Sequence, residues 1–127
     1  MIQKLLNLQI LTPDGRSLNK EGVEAVVFRR KERRFELGSE MAVLPGHAPT
    51  LVRIPVAPLR YRKGEKTSFV VLGGDFVEVK KNRVSVLTPR FETIRLDEPR
   101  PALQARHIAE DWRREERDFR KEMIGYL

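Results

Sequence analysis

Residues 97–101 read Asp-Glu-Pro-Arg-Pro, and the chain on either side of them follows two different periods. A helix does not run through this pair of prolines, because each lacks an amide donor and its ring clashes with the turn before it. Before the linker, apolar residues recur at every second position. After it, they fall on one helical stripe. The sequence therefore divides into a β-domain over 1–96, a linker over 97–101 and a helix over 102–127.

Within the first part, Leu6, Leu8 and Ile10 alternate with Asn7 and Gln9, and Thr12-Pro13-Asp14-Gly15 closes the run with a turn. Val23, Ala25 and Val27 alternate with Glu24 and Val26 and read as a second strand. Lys63-Gly64-Glu65-Lys66 reads as a hairpin loop between Leu59–Arg62 and Ser68–Leu72. Phe76–Val79 and Arg83–Leu87 flank a second one at Lys80-Lys81-Asn82. Short strands separated by turns imply a mainly β fold, an antiparallel sandwich or flattened barrel, followed by one long helix. In that helix Ile108, Trp112, Phe119 and Met123 share one stripe, and the pairs Glu110–Arg114 and Glu116–Arg120 sit at i,i+4. The stripe is expected to dock, either on the β-domain, on a second copy or on a different protein.

The 127 residues include no cysteine, so disulfides, thiolate zinc sites and cysteine nucleophiles are excluded, and a reducing compartment fits. No apolar run approaches the roughly 20 residues that cross a bilayer, and the N-terminus lacks the pattern of a signal or transit peptide. The net charge is +7. It gathers in Arg29–Arg34, in Arg60–Lys66 and in Lys80–Arg83, where solvated loops account for most of it.

Candidate chemistry is sparse. His47 stands between Pro45-Gly46 and Ala48-Pro49, a stiffened segment with Ser39 and Glu40 upstream but no ordered triad. His107, the other histidine, has no i,i+4 partner, so no metal site is expected. Gly73-Gly74 lacks both the Rossmann spacing and a following Lys-Ser or Lys-Thr, and is expected to be a tight turn needing positive φ. No catalytic residue and no cofactor site emerge. A basic barrel binding single-stranded nucleic acid is the alternative, with Phe28, Phe35, Tyr61 and Phe69 as stacking platforms.

Gly38-Ser39-Glu40-Met41-Ala42-Val43-Leu44-Pro45-Gly46-His47-Ala48-Pro49 resembles the GxxGxLPGHAPL segment of the epsilon subunit of F-type ATP synthases. The likeness extends to Leu8–Gly15, Leu59-Arg60, Gly73-Gly74-Asp75-Phe76-Val77-Glu78-Val79 and Asn82-Arg83-Val84-Ser85-Val86-Leu87, about three quarters of the chain in the right order. It implies a β-sandwich plus a helical region with no active site of its own. Such a subunit is held by the gamma subunit and rests on the rotor ring of c subunits, at the cytoplasmic face of the bacterial membrane. It transmits torque, and its helices restrain ATP hydrolysis in many bacteria. Carried over, the resemblance puts Glu40, Met41, Pro45, Gly46 and His47 against the ring. Arg113, Arg114, Arg117, Arg120 and Lys121 are expected to meet an acidic surface of the beta subunits.

Three departures stand out. The loop over 29–37 is longer and more basic than the family's, which suggests contact with anionic headgroups. Ala42 and Asp75 stand where glycines are usual, as does Val56-Ala57-Pro58 before Leu59-Arg60. The stretch after the linker is expected to hold one helix where the family generally has two, and the family's ATP-binding I/L-D-x-x-R-A text is matched only loosely by Glu110-Asp111-Trp112-Arg113-Arg114-Glu115, so tight ATP binding is not expected.

Overall fold

The computed structural model describes residues 4–32 and 37–125. Eight strands precede one helix: β1 Leu6–Leu11, β2 Ser17–Val23, β3 Ala25–Arg29, β4 Glu40–Val43, β5 Thr50–Lys63, β6 Lys66–Lys80, β7 Arg83–Leu87, β8 Phe91–Thr93 and α1 Pro101–Gly125. Hydrogen-bonded neighbours run β2-β1-β7-β6-β5-β3-β4, with β8 added to β6. Each pair is antiparallel except β1 with β7, which run parallel. Both expected hairpins form, one turning at Gly64-Glu65 and the other at Lys81-Asn82, where φ is 51° and 60°.

Two strand readings are corrected. Val23, Ala25 and Val27 do not share a face: the chain bends at Glu24, and the buried residues are Val23, Val26 and Phe28. The bend resets the alternation because side chains change face at every residue. Gly73-Gly74 is not a turn but the middle of the 15-residue β6. Gly74 lies opposite Pro55, between the pairs Ile54↔Asp75 and Val56↔Gly73. It has φ +97°, followed by Asp75 at +79°.

This kink makes the sandwich. Proline offers no amide to the ladder, and a glycine that accepts positive φ lets the ribbon bend beside it. Across the bend the inward parity changes, from Val52 and Ile54 to Leu59 and Tyr61 on β5, and from Val70 and Leu72 to Val77 and Val79 on β6. Both halves of the ribbon thus face one core, to which all eight strands contribute. The hairpin tip folds back until Lys63 lies beside Gly22 and shares a surface depression with Asn7 and Arg83.

The helix starts at Pro101, a first-turn position that suits a residue without an amide hydrogen. It packs through Ala105 and Ala109 onto Val71, on the outer face of β6, with Ile108 and Trp112 beside them. The expected stripe is therefore divided. Ile108 and Trp112 reach the β-domain, whereas Phe119 and Met123 are 63% and 54% exposed because the sandwich ends before them. Small residues bring the helix axis close enough for Arg113 to reach under it, and Arg113 Nη1 donates to Val56 O at 2.7 Å. Arg114 pairs with Asp111 at 3.3 Å rather than with Glu110.

Candidate functional site

The segment expected to meet the rotor is an edge. Strand β4 closes one end of the hydrogen-bonded path and pairs only with β3, so one side of its backbone is uncovered. Glu40 and Ala42 point outward, while Val43 is buried and Met41 packs on the core. Met41 thus points inward and is partly buried against the core.

Glu40 opens this strand and His47 lies beyond its other end. About 10 Å of extended chain separates Glu40 from Val43 before the next turn begins. At the first end, Arg60 grips Glu40 through two hydrogen bonds, Nη1 to Oε1 at 2.9 Å and Nη2 to Oε2 at 3.2 Å. That bidentate contact holds the Glu40 carboxyl below its ordinary range and raises Arg60, with the charge of Arg29 adding to the effect on Glu40. Arg29 Nη1 donates to Gly38 O at 3.0 Å, and Arg30 bonds Ser39 through both backbone and side chain. The basic loop is therefore a continuation of the β3–β4 hairpin at its base; Arg33, Arg34 and Phe35 lie outside the described residues.

At the second end, Leu44 O accepts from His47 N at 3.1 Å, closing a turn through Pro45 and Gly46, whose φ is +86°. His47 Nδ1 lies 2.8 Å from Ala48 O; a carbonyl only accepts, so Nδ1 carries the proton. The turn is also tied across the molecule. Asn82 Oδ1 accepts from Gly46 N at 2.8 Å, and Asn82 O accepts from Asn7 N at 2.9 Å. Sequence reading missed Asn82, although an asparagine in a two-residue hairpin turn is a cue for positive φ, which turns its side chain toward neighbouring backbone. Among the described residues the half-exposed imidazole has no carboxylate or hydroxyl partner.

Other expected residues separate along the chain. Arg113 is 9% exposed and occupied by Val56 O, which corrects its assignment to an acidic partner. Arg114, Arg117, Arg120 and Lys121 are exposed on the outer helix. Arg90, unnoticed in the sequence, stacks over Trp112 at 3.9 Å and pairs with Glu115 at 3.0 Å. Three of the four stacking platforms of the nucleic-acid alternative are overturned: Phe28 and Tyr61 are core residues and Phe69 packs under the helix, while Phe35 lies outside the described residues. The ATP motif is also displaced. The helix starts at Pro101, and the apolar-Asp-x-x-Arg spacing falls just before it, at Leu96-Asp97-Glu98-Pro99-Arg100, with Pro101 in the alanine position and Asp97 paired to Arg95 at 2.8 Å. Among the described residues no cluster of His, Cys, Asp and Glu has metal-site geometry, and no helix is long and apolar enough to cross a membrane.

The described residues form a β-sandwich with tethered edge turns and a half-docked helix, a non-enzymatic scaffold in outline. Residues 5–94 match the family described as ATP synthase, Delta/Epsilon chain, beta-sandwich domain. The ATP synthase epsilon chain of Bacillus licheniformis is 32% identical over 85% of this chain and 77% of its own length. That of Bacillus cytotoxicus is 33% identical over 84% and 75%. In fold, the chain resembles one from the mitochondrial ATP synthase of Euglena gracilis, with a TM-score of 0.60 and 24% identity over 73% of this chain and 55% of that one. A chain of the Tetrahymena thermophila mitochondrial ATP synthase central stalk and c-ring gives 0.55 at 14% identity, over 72% of this chain and 69% of that one. The chain belongs to the delta/epsilon family of ATP synthase chains and is a non-catalytic stalk subunit of that complex.

Proposed function

We propose that this subunit couples the gamma shaft to the ring of c subunits at the cytoplasmic face of a bacterial membrane, and that the β4 edge is where it does so. The observation that carries this reading is the bracing of both ends of that edge, by Arg60 at Glu40 and by Asn82 at Gly46. A turn fixed by prolines and cross-molecule hydrogen bonds transmits force without bending first. The two braced ends are assigned to different partners. The Glu40 end, with the basic loop over 29–37 beside it, rests on the ring and its surrounding anionic headgroups. The Pro45-Gly46-His47 turn meets the shaft.

Single cysteines at Glu40 and at His47 test this in the assembled complex. Cross-linking from position 40 to a c subunit and from position 47 to gamma supports the assignment; the reverse pattern, or no cross-link from either, refutes it.

The outer helix adds a weak brake on ATP hydrolysis. Phe119 and Met123 are exposed there together with Arg114, Arg117, Arg120 and Lys121, a surface suited to an acidic loop of the beta subunits. Truncation after Arg113 should raise the ATPase rate of the complex, and an unchanged rate would count against the brake.

A further inference from the structure

The groove between α1 and the sandwich holds a cavity of about 240 Å³. Four guanidinium groups line it, Arg29 and Arg60 from the sandwich and Arg106 and Arg113 from the helix. Only two carboxylates join them, Glu40 and Glu110, so the walls carry two positive charges in excess. Pro58 and Phe69 supply part of an apolar side.

The acids leave most of these arginines without a counter-charge. Glu40 is taken by Arg60, which grips it with two hydrogen bonds. Glu110 lies one turn from both Arg106 and Arg113, yet it makes no ion pair among the described residues. Arg29 and Arg113 donate to backbone carbonyls, those of Gly38 and Val56. Arg106 has no ion pair at all among the described residues. Arg113 is the decisive case, because it is only 9% exposed. A guanidinium carries five N–H donors, and Val56 O accepts from one nitrogen. The other donors are not sealed in, since no buried side-chain polar atom among the described residues lacks a partner. They are available to the cavity that Arg113 lines, and an anion there would offset the cost of burying the charge.

We propose that this cavity binds a small phosphate-class oxyanion, held by Arg106 and Arg113 from the helix and by Arg29 from the sandwich. Guanidinium forks match phosphate oxygens in pairs. The volume falls below the roughly 300–1,000 Å³ of pockets that hold drug-sized ligands, so the ligand is small. It is a free phosphate, or a phosphoryl group whose carbon body lies on Pro58 and Phe69. The family's nucleotide text takes no part, because Leu96, Asp97 and Arg100 are not among the lining residues. Since both α1 and the sandwich supply the walls, the anion binds only the docked arrangement and stabilises it by mass action. Anion occupancy thus sets how firmly the inner half of the helix rests, a link that goes beyond the stalk reading and does not depend on it.

Isothermal titration of the full chain with inorganic phosphate, at constant ionic strength, tests the site. Wild type should bind one phosphate with a dissociation constant of about 1 mM or tighter. Arg106→Gln should weaken binding about tenfold, and circular dichroism checks that this exposed substitution leaves the fold intact. Saturating phosphate should also slow hydrogen exchange over residues 101–113 in wild type. Phenyl phosphate is the second probe: tighter binding than inorganic phosphate supports the site with an organic ligand, and equal or weaker binding supports it with the free ion. No saturable binding of either probe overturns the proposal. So does binding that Arg106→Gln leaves unchanged, or that Lys80→Gln with Lys81→Gln abolishes instead, which would put the ion on the basic hairpin. Helix exchange unaltered at saturation overturns it too. None of these failures touches the stalk reading, which the cross-links from positions 40 and 47 decide.

Discussion

Arg113 Nη1 donates to Val56 O at 2.7 Å, joining the middle of the C-terminal helix to a carbonyl 57 residues earlier in the chain. The two alanines that pack on Val71 contribute little apolar area, so this charge-assisted bond is a main determinant of where the helix rests.

Arg113→Met keeps the apolar stem but removes the donor and leaves the Val56 carbonyl without a partner. Docking should weaken by about 1.5–3 kcal/mol. Hydrogen exchange should then rise across residues 101–125 while the core amides of β1 and β7 stay protected. Unchanged helix protection would show that the alanine seam suffices.

Trp112 is the single tryptophan and therefore a reporter of docking. Arg90→Ala removes both the guanidinium stacked on its ring and the ion pair to Glu115. The emission of Trp112 should shift to longer wavelength. Glu115→Ala should shift it much less, because that exposed pair contributes only about 0.2–1 kcal/mol.

The His47 turn can be loosened without touching it. Asn82→Gly retains a residue that accepts φ of 60° but removes the acceptor for Gly46 N, at a cost of about 1 kcal/mol. Asn82→Ala loses the acceptor and also strains the turn, costing about 1–2 kcal/mol more. Exchange of the Gly46 amide should quicken in both variants, whereas the melting temperature should separate them.

Glu40 predicts a limb in the stability profile. Its carboxyl titrates below the ordinary range because Arg60 bonds the charged form, so the contribution is present above the unfolded-state pKa and disappears as pH falls through the lower folded value. Glu40→Gln should cost at most about 1 kcal/mol at neutral pH, since both partners are more than 40% exposed and screened by solvent. Melts of wild type and variant should converge in acid. A difference that persists at the lowest pH would mean that Glu40 acts through packing.

Much of this protein was decided locally. The period-two runs, the turns at Gly64-Glu65 and Lys81-Asn82, and the prolines of the 97–101 linker each act within a few residues, so strands, hairpins and helix could be read in order. The text around Leu44–Pro49 was legible for the same reason, and so was the family. Other features depended on residues meeting across the fold. Pro55 opposite Gly74 bends the central ribbon and reverses its inward parity, a consequence of pairing that neither residue announces alone. Glu40 and His47 looked adjacent along the chain, yet a pleated strand carries them to opposite ends of an edge. Arg113 looked like one more surface arginine until small neighbours let the helix settle on Val56. Sequence alone set the helix, the hairpins and most of the strands, because local backbone preference and periodicity suffice for them, but not the continuity of β6 through Gly73-Gly74 or the break at Glu24. The tertiary structure decided which side chains are presented to partners, because burial and orientation depend on what packs from the far side of the fold.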